Sequence, residues 1–260
     1  MYPTLFTIPY LGFKVHSYGV MVALAFFLGM QVISREAKRQ GLPADKILDL
    51  CFYIIIAAIV GSRVFYILVE EPHLLLSPLD WFKIWEGGLV FYGGFIGSLA
   101  VGFWYLHKHR LNFLKTVDVF ILALPLGHSL GRIGCFLAGC CYGKPAPHFP
   151  FSVVFPLTSE SIAPVGVPLF PTQLMESIAE LLVFVFLFWK SRKKKFDGQI
   201  LLLYLVLYSI VRSVVEVFRG DISRGFVWDE KISVAQGISV VLVIVALILW
   251  KKLSKKSPLP

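Results

Sequence analysis

Gly-His-Ser-Leu-Gly-Arg-Ile-Gly-Cys-Phe-Leu-Ala-Gly-Cys-Cys-Tyr-Gly-Lys-Pro, residues 127–145, closes an apolar stretch that reads as a membrane helix. Arg132 lies before that helix ends. A guanidinium at membrane depth costs about 3 kcal/mol on the milder insertion scales, so it requires a partner or a task. Five glycines in the same run allow backbone or ligand to approach closely. A permanent cation in a glycine-lined pocket suits a phosphate, which accepts two parallel N–H bonds from one guanidinium.

The rest of the chain has the same character. Its 260 residues are 57% hydrophobic with a mean hydropathy of +0.75, far more apolar than a water-soluble domain. Apolar stretches near 17–34, 47–69, 88–106, 117–137, 173–190, 199–218 and 232–250 are each long enough to span a bilayer core, which takes roughly 20 helical residues. None alternates in the manner of a strand, and lipid forces backbone groups to pair within a segment, so helices are expected. The expected fold is an all-α polytopic membrane protein with about seven transmembrane helices.

A net charge of +9 could suggest nucleic acid, but its distribution is topological. Arg35, Lys38, Arg39 and Lys46 follow the first span, and Lys108, Arg110 and Lys115 the third. Lys190, Arg192, Lys193, Lys194 and Lys195 follow the fifth; Lys251, Lys252, Lys255 and Lys256 follow the seventh. The positive-inside rule then places the N-terminus outside and the C-terminus in the cytoplasm. Tryptophans agree: Trp81, Trp85 and Trp228 fall at outer ends, Trp104, Trp189 and Trp250 at inner ends, as interfacial rings should. The first apolar run lacks a basic n-region and an A-x-A-like site, so it reads as a permanent span rather than a cleaved signal.

One integral-membrane domain is expected over 1–260, without internal repeats. Its longest connection, about 144–170, lies outside and holds Pro145, Pro147, Pro150, Pro156, Pro164 and Pro168. Such a loop is either a lid over an outer-face site or an inert connection. Residues 1–13 and 72–85 are short, apolar and proline-interrupted, suited to lying along the interface.

With this orientation, polar residues inside the apolar segments gather in the outer half. They are His16 and Tyr18; Arg63 and Tyr66; Tyr92 among Gly87, Gly88, Gly93, Gly94 and Gly97; Arg132; Gln173 and Glu176; Arg212, Glu216 and Arg219; and Gln236. One outer-face site accounts for this pattern better than separate structural accidents. Arg63, Arg132 and Arg212, set against Glu176 and Glu216, leave positive charge over for an anion. Arg212 and Glu216 stand at i,i+4 and can also form a plain structural pair. Arg219 can snorkel at the interface, and Arg63 can be engaged in structural pairing. His128 reads equally as a core or helix-end residue. Cys135, Cys140 and Cys141 lie close in sequence, as packing residues, a disulfide or redox group, or a metal site. C-x4-C-C is a weak metal signature, so neither metal nor cofactor is expected.

Taken in order, the motifs resemble the prolipoprotein diacylglyceryl transferases of bacterial plasma membranes. The matching elements are His16-Ser17-Tyr18-Gly19, Gly61-Ser62-Arg63-Val64-Phe65-Tyr66 and Gly87-Gly88…Gly93-Gly94…Gly97. They continue with Gly131-Arg132-Ile133-Gly134 plus Phe136, Gly139 and Gly143, then Pro171-Thr172-Gln173-Leu174 with Glu176, then Arg212-x-x-x-Glu216-x-x-Arg219. Five positions depart from the family's commoner residues. Tyr92 stands in place of a histidine, Cys135 and Cys140 replace an asparagine and a glutamate, and Phe170 and Met175 replace a histidine and a tyrosine. A histidine base at position 92 therefore does not transfer.

The resemblance implies transfer of the diacylglyceryl group of phosphatidylglycerol to the lipobox cysteine of a prolipoprotein, giving a thioether and glycerol phosphate. It implies a multi-pass protein of the bacterial inner membrane with its active site toward the outer face. On that reading Arg132 holds the lipid phosphate and Arg212 is a second clamp oriented by Glu216. Arg63, Gly134 and Gly143 complete the phosphate pocket, and Tyr18 and Tyr92 position the thiol or relay its proton. His16, Gln173, Glu176 and Arg219 support the site. The competing readings are a thiol oxidoreductase using Cys135, Cys140 and Cys141, and a transporter for an anionic solute.

Overall fold

The computed structural model describes residues 2–7, 9, 14–83, 87–156, 161–220, 225–227 and 232–256. Trp85 and Trp228 of the tryptophan pattern lie outside the described residues. Among those described, a helix forms at each expected apolar stretch: α1 (Ser17–Arg39), α2 (Ala44–Val69), α3 (Phe91–Lys108), α4 (Phe113–Ala138), α5 (Thr172–Ser191), α6 (Gln199–Phe218) and α7 (Val234–Lys256). Six are long and apolar enough to cross a membrane. The exception is α3, whose 18 residues rise only about 27 Å; glycines, tyrosines, His107 and Lys108 dilute its apolar character. The chain is an all-α polytopic membrane protein. On α7, Val240, Val241, Ile244, Leu247 and Ile248 are exposed along one face. That stripe would be a hazard in water and is what a lipid-facing helix requires.

The packing gathers the chain into two compact units, Met1–Val32 with Val117–Pro260, and Ile33–Thr116. In the second unit α2 and α3 pack backbone to backbone. A Cβ at Gly93 would collide with the carbonyl oxygen of Gly61 and with Phe65, and one at Gly97 would stand 2.8 Å from the carbonyl oxygen of Ala57. Small residues at this spacing let membrane helices approach closely where lipid supplies no hydrophobic drive. Ser98 Oγ donates to the carbonyl of Ile54 (3.3 Å) and the Val90 N–H to that of Ser62 (3.2 Å), closing the pair. Two 3-10 turns, Pro72–Leu76 and Pro78–Phe82, follow α2.

The first unit holds a core of Leu122, Val183, Leu187, Ile200 and Tyr204 from α4, α5 and α6. Phe196, Leu202 and Ala246 join α6 to α7. An antiparallel hairpin of β1 (Thr4–Thr7) and β2 (Lys14–His16) leads into α1. The proline-rich connection is a folded element: β3 (Val153–Val154) pairs with β4 (Pro168–Leu169), and Phe155, Ala163 and Leu169 form its own buried core. Residues 157–160 lie outside the described set.

At the N-terminal end of α4, Asp118 is 1% exposed and organises the start of α6. Its carboxylate accepts the Gly198 and Leu201 N–H groups (2.8 and 3.0 Å) and the Lys194 ammonium (3.2 Å). This is a helix cap supplied from a neighbouring helix. Asp118→Ala strands two main-chain donors and takes one carboxylate partner from Lys194, which keeps Asp197. The expected loss is about 2–3 kcal/mol of stability, visible as a lower melting temperature in detergent. The folded fraction should keep its activity, since Arg132 lies at the far end of α4.

Candidate active site

Three helix ends of the first unit bring the predicted polar residues together. Ser177 Oγ on α5 donates to the Ser129 carbonyl on α4 (2.9 Å), and the two hydroxyls stand 3.0 Å apart. These small side chains set α5 against α4 so that Glu176, 1% exposed, faces Arg132. Arg132 Nη2 donates to Glu176 Oε1 (2.9 Å) and Nε to His128 Nε2 (3.3 Å), one turn earlier. The Arg132 side chain keeps 15% of its surface exposed, so the guanidinium is held on one edge and open on another. On α6, Arg212 Nη1 pairs with Glu216 Oε2 at 2.7 Å, the expected i,i+4 contact. Glu176 lies within electrostatic reach of both Arg132 and Arg212, and Arg219 within reach of Arg132.

The chain after α4 threads between the ends of α5 and α6. Gly139 (φ +73°) adopts the left-handed turn that ends many helices, with Cys140 N–H bonding the Cys135 carbonyl (3.1 Å). Gln173 Nε2 donates to the Cys140 carbonyl (2.7 Å) and Thr172 Oγ1 to that of Cys141 (3.1 Å). Gln173 thus supports this loop. Lys144 N–H then bonds the Phe218 carbonyl (2.8 Å), and Gly220 N–H that of Tyr142 (3.1 Å). Gly143 bridges to Arg219 in this short pairing, and a Cβ on it would collide with the Phe170 carbonyl oxygen. Backbone packing alone therefore requires glycine at this position. At Gly134 a Cβ would come within 3.1 Å of the Tyr18 ring and 3.2 Å of Met21, so this glycine admits α1. Tyr18 is 46% exposed there and within electrostatic reach of Arg132. His16 is exposed on β2.

The three cysteine sulfurs meet at the same helix end, all within 4.8 Å of one another. Hydrogen bonds from Cys135 and Cys140, aided by Arg132 and Arg219 against the opposing effect of burial, hold the Cys141 thiol well below the usual cysteine range.

In the second unit Arg63 is engaged structurally, one of the two tasks expected for it. It is 8% exposed and donates to four main-chain carbonyls: Asp80 (2.7 Å), Gly87 (2.9 Å), Trp81 (3.2 Å) and Gly88 (3.3 Å). Its Cζ also stands 5.3 Å from the Tyr66 ring centroid. Arg63 fixes the glycine-rich segment before α3. It lines a cavity of about 300 Å³ with Tyr66, Leu74, Asp80, Lys83, Gly87 and Gly88. Tyr92 is 69% exposed in the first turn of α3.

The family model for prolipoprotein diacylglyceryl transferase matches residues 3–251. The chain belongs to the prolipoprotein diacylglyceryl transferase family. The phosphatidylglycerol–prolipoprotein diacylglyceryl transferase of Clostridium tetani (strain Massachusetts / E88) is 35% identical over 250 residues, 96% of this chain and 97% of the relative. Phosphatidylglycerol–prolipoprotein diacylglyceryl transferase 2 of Clostridium perfringens (strain 13 / Type A) is 34% identical over 240 residues, covering 92% and 91%. The Acinetobacter baumannii (strain SDF) transferase is 32% identical over 250 residues, covering 94% and 90%. The protein is therefore a transferase of lipoprotein maturation, and the oxidoreductase alternative built on its cysteines is not favoured.

Within this family member two residues go beyond the sequence expectation. Glu180, 0% exposed, lies one turn beyond Glu176, with Oε1 3.6 Å from His128 Nδ1. His128 thus stands between two carboxylates, its Nε2 3.3 Å from Glu176. Arg132, Arg212 and Arg219 of the first unit are matched by Glu176, Glu180 and Glu216. Glu180 adds a third acid to the expected set of Glu176 and Glu216, and His128 stands beside it. The available signal for Glu180 was an acid inside an apolar span.

Proposed function

We propose that the protein transfers the diacylglyceryl group of phosphatidylglycerol to the lipobox cysteine thiol of prolipoproteins. The cysteine sulfur forms a bond to the terminal glyceryl carbon, the bond from that carbon to the phosphate oxygen breaks, and glycerol phosphate leaves. The substrate names carried by the relatives support both partners. The site works at the outer face of a bacterial inner membrane, with the N-terminus outside and the C-terminus cytoplasmic, a reading supported by the basic clusters after α1, α3, α5 and α7.

The observation that carries this reading is the half-held guanidinium of Arg132. Glu176 and His128 fix its orientation before substrate arrives, and its open edge can meet a phosphate whose charge grows as the bond breaks. Arg212, set by Glu216, is the second clamp, and Arg219 and Gln173 hold the loop beside it. Tyr18, half exposed against Gly134, is the candidate to position the thiol from the first unit. Tyr92, exposed where many family members carry histidine, is the second candidate.

The test uses detergent-solubilised protein with phosphatidylglycerol and a lipobox peptide, read by mass spectrometry. The expected product is the peptide plus one diacylglyceryl unit on its cysteine, with glycerol phosphate released in equal amount. A folded protein that leaves the peptide unmodified, beside an active family member, would overturn the proposal.

A further inference from the structure

The family's activity makes no use of three thiols at one point, yet this chain builds that point with care. Cys135 lies on the last turn of α4, Gly139 turns the chain, and Cys140 and Cys141 follow at once. Cys141 takes a left-handed backbone (φ +57°), which non-glycine residues adopt at a cost of about 1 kcal/mol or more and keep only when the surroundings impose it. Here Gln173 and Thr172 grip the carbonyls of Cys140 and Cys141 from α5. The result is that all three sulfurs lie within 4.8 Å of one another, half-buried at the helix end. Three thiolates bound at about 2.3 Å to a common ion in a plane stand about 4.0 Å apart. The cluster is already close to that arrangement.

We infer that Cys135, Cys140 and Cys141 form a three-thiolate site for a soft d10 cation. The donor set is sulfur only, which selects thiophilic ions over magnesium or calcium. On binding, three sulfur–metal bonds form and the thiol protons pass to solvent. With a divalent ion the loaded cluster carries one net negative charge, one helical turn from Arg132. It competes with the lipid phosphate for that guanidinium, so metal loading slows diacylglyceryl transfer. Binding does not depend on the transferase reading, whereas the inhibition rests on it.

The experiment titrates Cd(II) into full-length protein purified with its thiols reduced and the reductant removed. It reads the ultraviolet thiolate-to-metal charge-transfer band and the metal bound per chain. One ion per chain is expected, with at least a 100-fold loss of affinity in the Cys135→Ser, Cys140→Ser, Cys141→Ser triple variant and no change in Cys51→Ser. Cys141→Gly, which accepts the left-handed backbone, separates loss of a ligand from loss of the turn: it should stay folded and weaken binding. Absence of the band in reduced protein, its persistence in the triple variant, or cluster thiols already joined in a disulfide when isolated without reductant would each overturn the site. Binding with unaltered transfer would overturn only the inhibition.

Discussion

Lysine in place of Arg132 is expected to lower kcat/KM for diacylglyceryl transfer by about 100-fold, most of it in kcat. The guanidinium of Arg132 is held by two fixed contacts, Nη2 to Glu176 and Nε to His128, which leaves a planar edge aimed at incoming ligand. A lysine ammonium can keep the pairing with Glu176, so the buried carboxylate is not orphaned and the fold should survive with little change in melting temperature. It cannot hold Glu176 and also offer two parallel donors to a phosphate oxygen pair. Arg132→Ala behaves differently: it takes the nearest cation from Glu176, 1% exposed, and leaves His128 at 3.3 Å, so it should cost about 1–3 kcal/mol of stability besides abolishing activity. Measuring steady-state rates and melting temperatures of both variants separates the two contributions. Wild-type rates from Arg132→Lys would remove the bidentate phosphate contact from the mechanism.

Gly93→Leu should destabilise the protein by about 3 kcal/mol, near the upper end for overpacked sites. The new side chain would have to enter the space now filled by the Gly61 carbonyl and Phe65, and neither can move without parting α2 from α3. With them would go the bonds from Ser98 to Ile54 and from Val90 to Ser62. Gly102→Leu is the control on the same helix, because a Cβ there meets nothing within 4 Å. Membrane expression yield and detergent melting curves should fall for Gly93→Leu and hold for Gly102→Leu. Equal behaviour of the two would mean that the close approach of α2 and α3 contributes little.

How far the site could be read from sequence depended on the kind of partner each residue has. Arg132, Glu176, Arg212 and Glu216 were legible because charge inside an apolar span is costly and the partner is another charged side chain. Arg63 was not, since its partners are the carbonyls of Asp80, Trp81, Gly87 and Gly88, and a main-chain carbonyl has no residue signature. Gly134 and Gly143 stand out in the sequence, but that Tyr18 and the Phe170 carbonyl lie beside them is visible only in the structure. Glu180 passed unnoticed because its meaning depends on which face of α5 meets His128.

The number and length of the apolar helices, their basic flanks and the family motifs follow from sequence alone, because lipid imposes its demands one segment at a time through local composition. Pairing does not follow in that way. Lipid is as apolar as the side chains it bathes, so which helix faces meet is decided by small residues and directed polar contacts. Only the tertiary structure could turn Arg63 into a loop anchor, set Glu180 beside His128 and gather three cysteines from a turn into one cluster.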